Sequence, residues 1–263
     1  MRVLAVPFTF AHPAAAVPLL RPLGRNGSLS ALVIGSMAPD LAFIVALDLT
    51  REQTHSLAAL FLFCLPAGLL AYLLFHALLK APLIDLMPDA IASRLAGAME
   101  ARRAPWSAVL VSMLCGALTH LLWDAFTHPG TPVVNALPLL QTELAVVGGY
   151  HVVVFKLLQH GSSLVGLALL ALWAINWLRR APVVAADRAR LLSPLQRIGA
   201  LLMLAAIPLL AGLHAGWQRS AHVTNMVELQ EFATGFIFTA LPAGALLLAI
   251  YSMLWKLATA RGR

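Results

Sequence analysis

The chain is poor in charge. Asp, Glu, Lys and Arg make up 11% of its 263 residues, against about 25% in soluble domains. In their place 60% of the residues are hydrophobic, with a mean hydropathy of +0.85. One soluble core cannot hide that much apolar surface, so the composition points to a polytopic membrane protein. Cysteine is scarce too. Cys64 and Cys115 stand alone in apolar runs, which excludes a disulfide framework and a CxxC metal site and leaves two small core residues. Short alternating polar and apolar segments are missing, and with them the signature of a β-barrel. The formal charge is +7, but the basic residues sit between apolar runs instead of forming a dense patch. They fit orientation in a membrane, and no nucleic-acid partner is implied. There is no internal repeat and no low-complexity tract beyond a Leu/Ala bias.

What is present is a series of six runs long enough to span, at roughly 30–48, 57–79, 106–126, 151–178, 198–216 and 234–255; a span needs about 20 residues. Of the 18 Lys and Arg, fifteen fall on one alternating set of connections and the tails, only Arg51 and Arg219 fall on the other, and Lys156 lies within a span. By the positive-inside rule both termini are then cytoplasmic. The connection RRAPVVAADRAR reads as a topology signal, and Trp or Tyr at 106, 150, 177 and 255 as interfacial anchors. VLAVPFTFAHPAAAVPLL resembles a signal peptide only loosely, because Pro7, His12 and Pro13 interrupt its apolar stretch. It reads as a retained interfacial or partly inserted helix starting near Thr9, with Pro13 in its first turns. The expected fold is an all-α polytopic membrane helix bundle of about six spans plus this N-terminal helix. It forms one domain over 1–263, divided into the segment 1–26, a core at 27–178 and a C-terminal helical hairpin at 179–263.

Polar residues inside those runs need a reason, since an ionisable side chain near mid-membrane costs about 2.5–3.5 kcal/mol. Asp40 falls near the middle of the first run, His120 and Asp124 in the outer half of the third, and His160 about ten residues into the fourth. His55, His128 and His151 stand at outer ends, so separate segments converge on one depth. Lys156 is the one basic residue within a span, so salt bridges do not account for the two aspartates. Imidazole and carboxylate together suit Zn²⁺ or another divalent first-row ion. His120 and Asp124 are one helical turn apart, about 6 Å along the axis, and both can reach one ion. His128, about 12 Å from His120 and just before Pro129-Gly130, suits a second ion, the substrate, or simply a helix end. Blander readings stand beside these. Asp40 after Ala38-Pro39 can be an N-cap, and His151 and His160 can be interface or packing residues. His76, His214 and His222 belong to the periphery.

PFTFAHPAAAVPL, LSALVIGSMAPDL, THSLAALFLFCLPAGL and LTHLLWDAFTHPGT together resemble a family of bacterial polytopic membrane proteins catalogued as domain of unknown function 4184, over most of the chain. That family is distantly similar to YdjM-type membrane-bound metal-dependent hydrolases, which share a ligand order with zinc-dependent phospholipase C. The resemblance implies the ligand set His12, Asp40, His55, His120, Asp124, His128 and His160. The phospholipase pattern closes on His-xxx-Glu, whereas position 164 here is Leu, so one or two ions are expected instead of three. His12 joins only if the N-terminal helix dips into the bilayer.

The expectation is a membrane-embedded metal-dependent hydrolase open to the outer face, suited to a lipid-like or amphipathic phosphoester. His120, Asp124, Asp40 and His55 would hold the ion, which acidifies a water and polarises the ester. Asp124 would bridge to a second ion at His128 and His160, and Asp40 is the candidate general base. The alternatives are a metal-ion or proton transporter and a non-catalytic scaffold.

Overall fold

A computed structural model describes residues 9–100, 104–183 and 191–261 of the chain. Part of the basic connection read as a topology signal (184–190), with Arg2, Arg102, Arg103 and Arg263, lies outside them.

The protein is a multi-pass helical membrane bundle. Among the described residues five helical runs are long and apolar enough to cross a bilayer: Leu60–Leu86, Trp106–Ala136, Val154–Arg180, Pro194–Arg219 and Met226–Arg261. Leucines along them stay bare toward the outside (Leu62 and Leu195 are about four-fifths exposed), as lipid-facing side chains are. The first expected span differs. Leu29–Met37 is α-helical, Ala38–Asp40 tightens into a 3-10 turn, and Leu41–Ile44 closes the run, so the shorter apolar helix Leu29–Ile44 replaces a full-length one. Pro39 supplies the reason: its ring and missing N–H disfavour a regular helix through that point. The chain then turns at Ala46, whose φ of 55° is the left-handed conformation that an L-residue with a Cβ resists.

Proline also shapes the second run. Pro66 and Pro82 each follow a widened π-helical turn, at Leu60–Cys64 and Phe75–Leu79. A proline ring collides with the carbonyl four residues earlier, and loosening the preceding turn relieves this. The fourth run departs from expectation at its start. Residues 150–153, including His151, form a strand paired with Glu143–Val147 in an antiparallel hairpin, and the helix begins at Val154. Gly148 and Gly149 make the turn with φ of 55° and 78°, the double left-handed conformation of the commonest two-residue hairpin loops. His151 there is exposed and pairs with Glu143 at 2.6 Å.

Close helix contact is made by glycine. A Cβ on Gly35 would strike the Met113 carbonyl, and one on Gly116 the Leu32 carbonyl. The 29–37 and 106–127 helices therefore cross backbone to backbone, the small-residue packing that membranes favour because lipid gives helices no hydrophobic reason to associate. Ala31, Val109 and Met113 fill the crossing. Gly212 and Gly216 receive Phe236 and Phe232 in the same way, closing Pro194–Arg219 onto Met226–Arg261 as the C-terminal hairpin. Of the two free cysteines, Cys64 is buried with Ala38, Leu60 and Ala117 as expected of a core residue, whereas Cys115 is half-buried.

Candidate metal centre

Four segments deliver the polar residues. The 106–127 helix carries His120 and Asp124 on one face and ends at Thr127, with His128 in the extended residue just beyond. The close crossing at Gly116 brings Ser36 beside His120, whose Nδ1–H donates to the Ser36 carbonyl at 2.8 Å. Just beyond Ser36, the break at Pro39 turns Asp40 inward, fully buried. Its carboxylate makes no helix cap; Thr9 Oγ1 donates to its Oδ2 at 2.5 Å instead. The third segment is the single turn Arg51–His55, fixed by a capping box between Thr50 and Gln53. Arg51 and His55 are four apart and so share a face. The fourth is the N-terminal string of short turns, Thr9–Ala11 through Leu20–Leu23. It packs against the Val154–Arg180 helix where Gly166 leaves room for the Ala11 carbonyl, 3.2 Å from where a Cβ would sit. His12 is thereby buried and stacks on His120 with ring centroids 3.8 Å apart.

The five groups converge. His55 Nε2 lies 3.2 Å from Asp40 Oδ1 and 3.5 Å from Asp124 Oδ2. His120 Nε2 lies 3.8 Å from Asp40 Oδ2 and 3.4 Å from Asp124 Oδ2. On the far side of Asp124, its Oδ1 is 3.2 Å from His12 Nε2. Donor atoms of His12, His120 and Asp124, and of Asp40, His55 and His120, all fall within 4.8 Å of one another in their groups.

The histidine tautomers follow from the partners of their other nitrogens. A carbonyl only accepts, so neutral His120 carries its proton on Nδ1 and turns a lone pair at Nε2 toward two carboxylates. His12 does the same, its Nδ1 facing the Thr9 carbonyl at 3.3 Å. The Nε2 atoms of His55 and His120 are buried and make no well-aligned hydrogen bond although they face carboxylates, a costly state unless a proton or a metal ion lies between. Burial pushes the His55 imidazole below the usual histidine range, with its pairing to Asp40 opposing and the Arg51 guanidinium assisting. An ion bound at about 2.0–2.2 Å in tetrahedral geometry holds its donors about 3.4 Å apart. The 3.2–3.8 Å separations around His55, His120, Asp40 and Asp124 match that edge.

Two sequence candidates are not among these two donor groups. His128 is buried, but Gln159 Nε2 pairs with its Nε2 at 3.0 Å and its Nδ1 faces Asp124 Oδ1 at 3.2 Å. With both nitrogens engaged, it braces the carboxylate and stands outside the grouped donors. His160 is exposed on the Val154–Arg180 helix, one residue past the buried Gln159; the step of about 100° per residue carries it off the inward face.

Four partners were not anticipated. Thr9, Ser36 and Gln159 each orient a histidine or an aspartate from a neighbouring segment. The fourth is Arg51, expected as a loop charge, which donates from Nη2 to Asp124 Oδ2 at 2.5 Å. Asp124 therefore does have a basic partner, delivered from a connection and not from a span. The TREQTH capping box, with Arg and His four apart, is the signal that could have revealed it. Arg51, His55, Asp124, Thr131 and Pro132 line a small cleft of about 90 Å³ beside the cluster.

A family model described as "Domain of unknown function (DUF4184)" matches residues 6–253. No curated protein and no solved structure matches the chain.

Proposed function

The chain belongs to the DUF4184 family, whose description assigns no chemistry, and we propose from the site itself that it is a membrane-embedded metal-dependent hydrolase. The observation that carries this reading is the pair of buried Nε2 atoms of His55 and His120, without a well-aligned hydrogen bond and set between two carboxylates at ligand spacing. The proposed ligands are His55, His120, Asp40 and Asp124, with His12 on the second oxygen of Asp124. Two imidazoles and two carboxylates suit Zn²⁺ or another divalent first-row ion. When bound, such an ion supplies Lewis acidity to an ester oxygen and acidifies a water.

The chain's own groups complete the arrangement. Thr9 fixes Oδ2 of Asp40, and whichever oxygen of that carboxylate is not engaged by the ion is the proposed proton acceptor for the attacking water. Ser36 and Thr9 hold His120 and His12 in the tautomer that offers Nε2. The cleft at Arg51 and Thr131 gives access from outside the bundle. By the alternation of basic connections, that mouth faces away from the cytoplasm of a bacterial inner membrane. A lipid-like or amphipathic phosphoester is the substrate class such a position suits. The test is metal analysis of the purified protein beside Asp124→Ala: about one or two equivalents retained by the wild type and lost in the variant support the centre, and none in either removes it.

A further inference from the structure

The cleft beside the cluster is walled by one cation, and its contacts leave most of that cation's capacity free. Arg51 reaches Asp124 through Nη2 alone, whereas a guanidinium has five N–H donors in a rigid fork. Its side chain is 39% exposed against 5% for Asp124, so it spans the boundary between buried cluster and open cleft. The capping box holds its backbone, leaving the long side chain as the movable part.

Charge decides where that side chain goes. Asp40 and Asp124 carry two negative charges and Arg51 one positive. A divalent ion brings the loaded centre to a net positive charge, and it competes with Arg51 for the same oxygen, Asp124 Oδ2, which His55 and His120 also face. Resting on the metal-centre reading above, we propose that Arg51 is the anion-binding and specificity-determining residue of this site. On metal loading its guanidinium leaves Asp124 and takes a phosphoryl group in the cleft through two parallel N–H···O bonds. A fork matched to tetrahedral oxyanions recognises phosphate in this bidentate way. The phosphoryl group belongs either to a lipid headgroup or to a soluble phosphate ester, and the chemistry at Arg51 is the same for both.

The experiment measures zinc affinity, and then the affinity of the zinc-loaded protein in detergent for inorganic phosphate and for micelles doped with phosphatidic acid. It compares wild type, Arg51→Gln and Arg51→Lys. Loss of a charge-assisted bidentate contact is expected to weaken phosphoryl binding by about tenfold or more in Arg51→Gln. Arg51→Lys, which keeps the charge without the fork, falls between and guards against a misfolded glutamine variant. Zinc affinity should be undiminished in Arg51→Gln, because a competing cation has gone. Arg51-dependent binding of phosphatidic acid alone identifies a lipid source; dependence for both ligands identifies a phosphoryl site open to soluble esters. Equal phosphoryl affinity in all three proteins, or none in zinc-loaded wild type, overturns the role of Arg51 while the metal centre stands. Failure of wild type to take up zinc removes the metal centre and this role with it.

Discussion

Replacing Asp124 by Asn changes one atom and separates a metal centre from a polar scaffold. The side chain is 5% exposed and faces Arg51 at 2.5 Å, His12 and His128 at 3.2 Å, His120 at 3.4 Å and His55 at 3.5 Å. Without metal, two effects oppose each other. Weakening the charge-assisted bond from Arg51 costs about 1.5–3 kcal/mol, while relieving a buried carboxylate of its desolvation returns several kcal/mol. The apo protein should therefore melt close to wild type, or slightly above it. Metal binding has no such compensation, because the residue offers both oxygens to the cluster and its charge offsets the ion. Removing a mere supporting group around a metal typically costs about 10–100-fold in affinity, so loss of this ligand is expected to cost at least about 100-fold. The assay is thermal unfolding in detergent with Zn²⁺ titrated in. At a zinc concentration 100 times the wild-type Kd, wild type gains about 2.7 kcal/mol; a variant bound 100-fold more weakly gains about 0.4 kcal/mol. If wild type shows no zinc-dependent gain and Asp124→Asn melts higher, the hydrolase reading is wrong.

Thr9→Val removes the hydroxyl that donates to Asp40 Oδ2 and should weaken zinc binding by about tenfold with little change in melting; unchanged affinity would show that Asp40 needs no such anchor. Gly116→Ala sets a methyl against the Leu32 carbonyl and 2.7 Å from the Ser36 amide nitrogen. It should destabilise by about 1–3 kcal/mol and also lower zinc affinity, since the Ser36 carbonyl that orients His120 must move; a melting loss alone would uncouple the crossing from the site. Ala46→Gly relieves the left-handed backbone at φ 55° and should raise stability by up to about 1 kcal/mol, read as a higher midpoint in chemical unfolding. Reporter fusions placed within 127–150 and 179–197 should report opposite sides of the membrane, and the same side for both would overturn the topology and with it the outward-facing mouth.

Much of the bundle was legible because the bilayer imposes simple rules. Long apolar runs must be helical, since lipid satisfies no backbone group, and the five long helices sit where the hydropathy placed them. The rule fails where a run carries a backbone breaker. Hydropathy over 30–48 averages across Pro39, and at 151–153 it counts His-Val-Val as the start of a span. Gly148-Gly149 between two β-branched stretches is the local signal for the hairpin that actually occupies 143–153.

The clustering of polar side chains was legible for the same reason. Mid-membrane charge is expensive, so few polar residues needed an explanation, and His12, Asp40, His55, His120 and Asp124 do meet. What depth cannot supply is rotation. His160 and Gln159 share a depth, yet only the glutamine points inward, and one residue of helical phase separates a brace for His128 from an exposed imidazole. Nor can depth see a connection fold back. Arg51 counts toward orientation by its place in the sequence, and a single capped turn redirects it onto the most heavily contacted carboxylate in the cluster. Topology rules count a basic residue once, as a charge beside a span. A membrane protein can use the same guanidinium again, because at a helix mouth it can reach a carboxylate buried just inside.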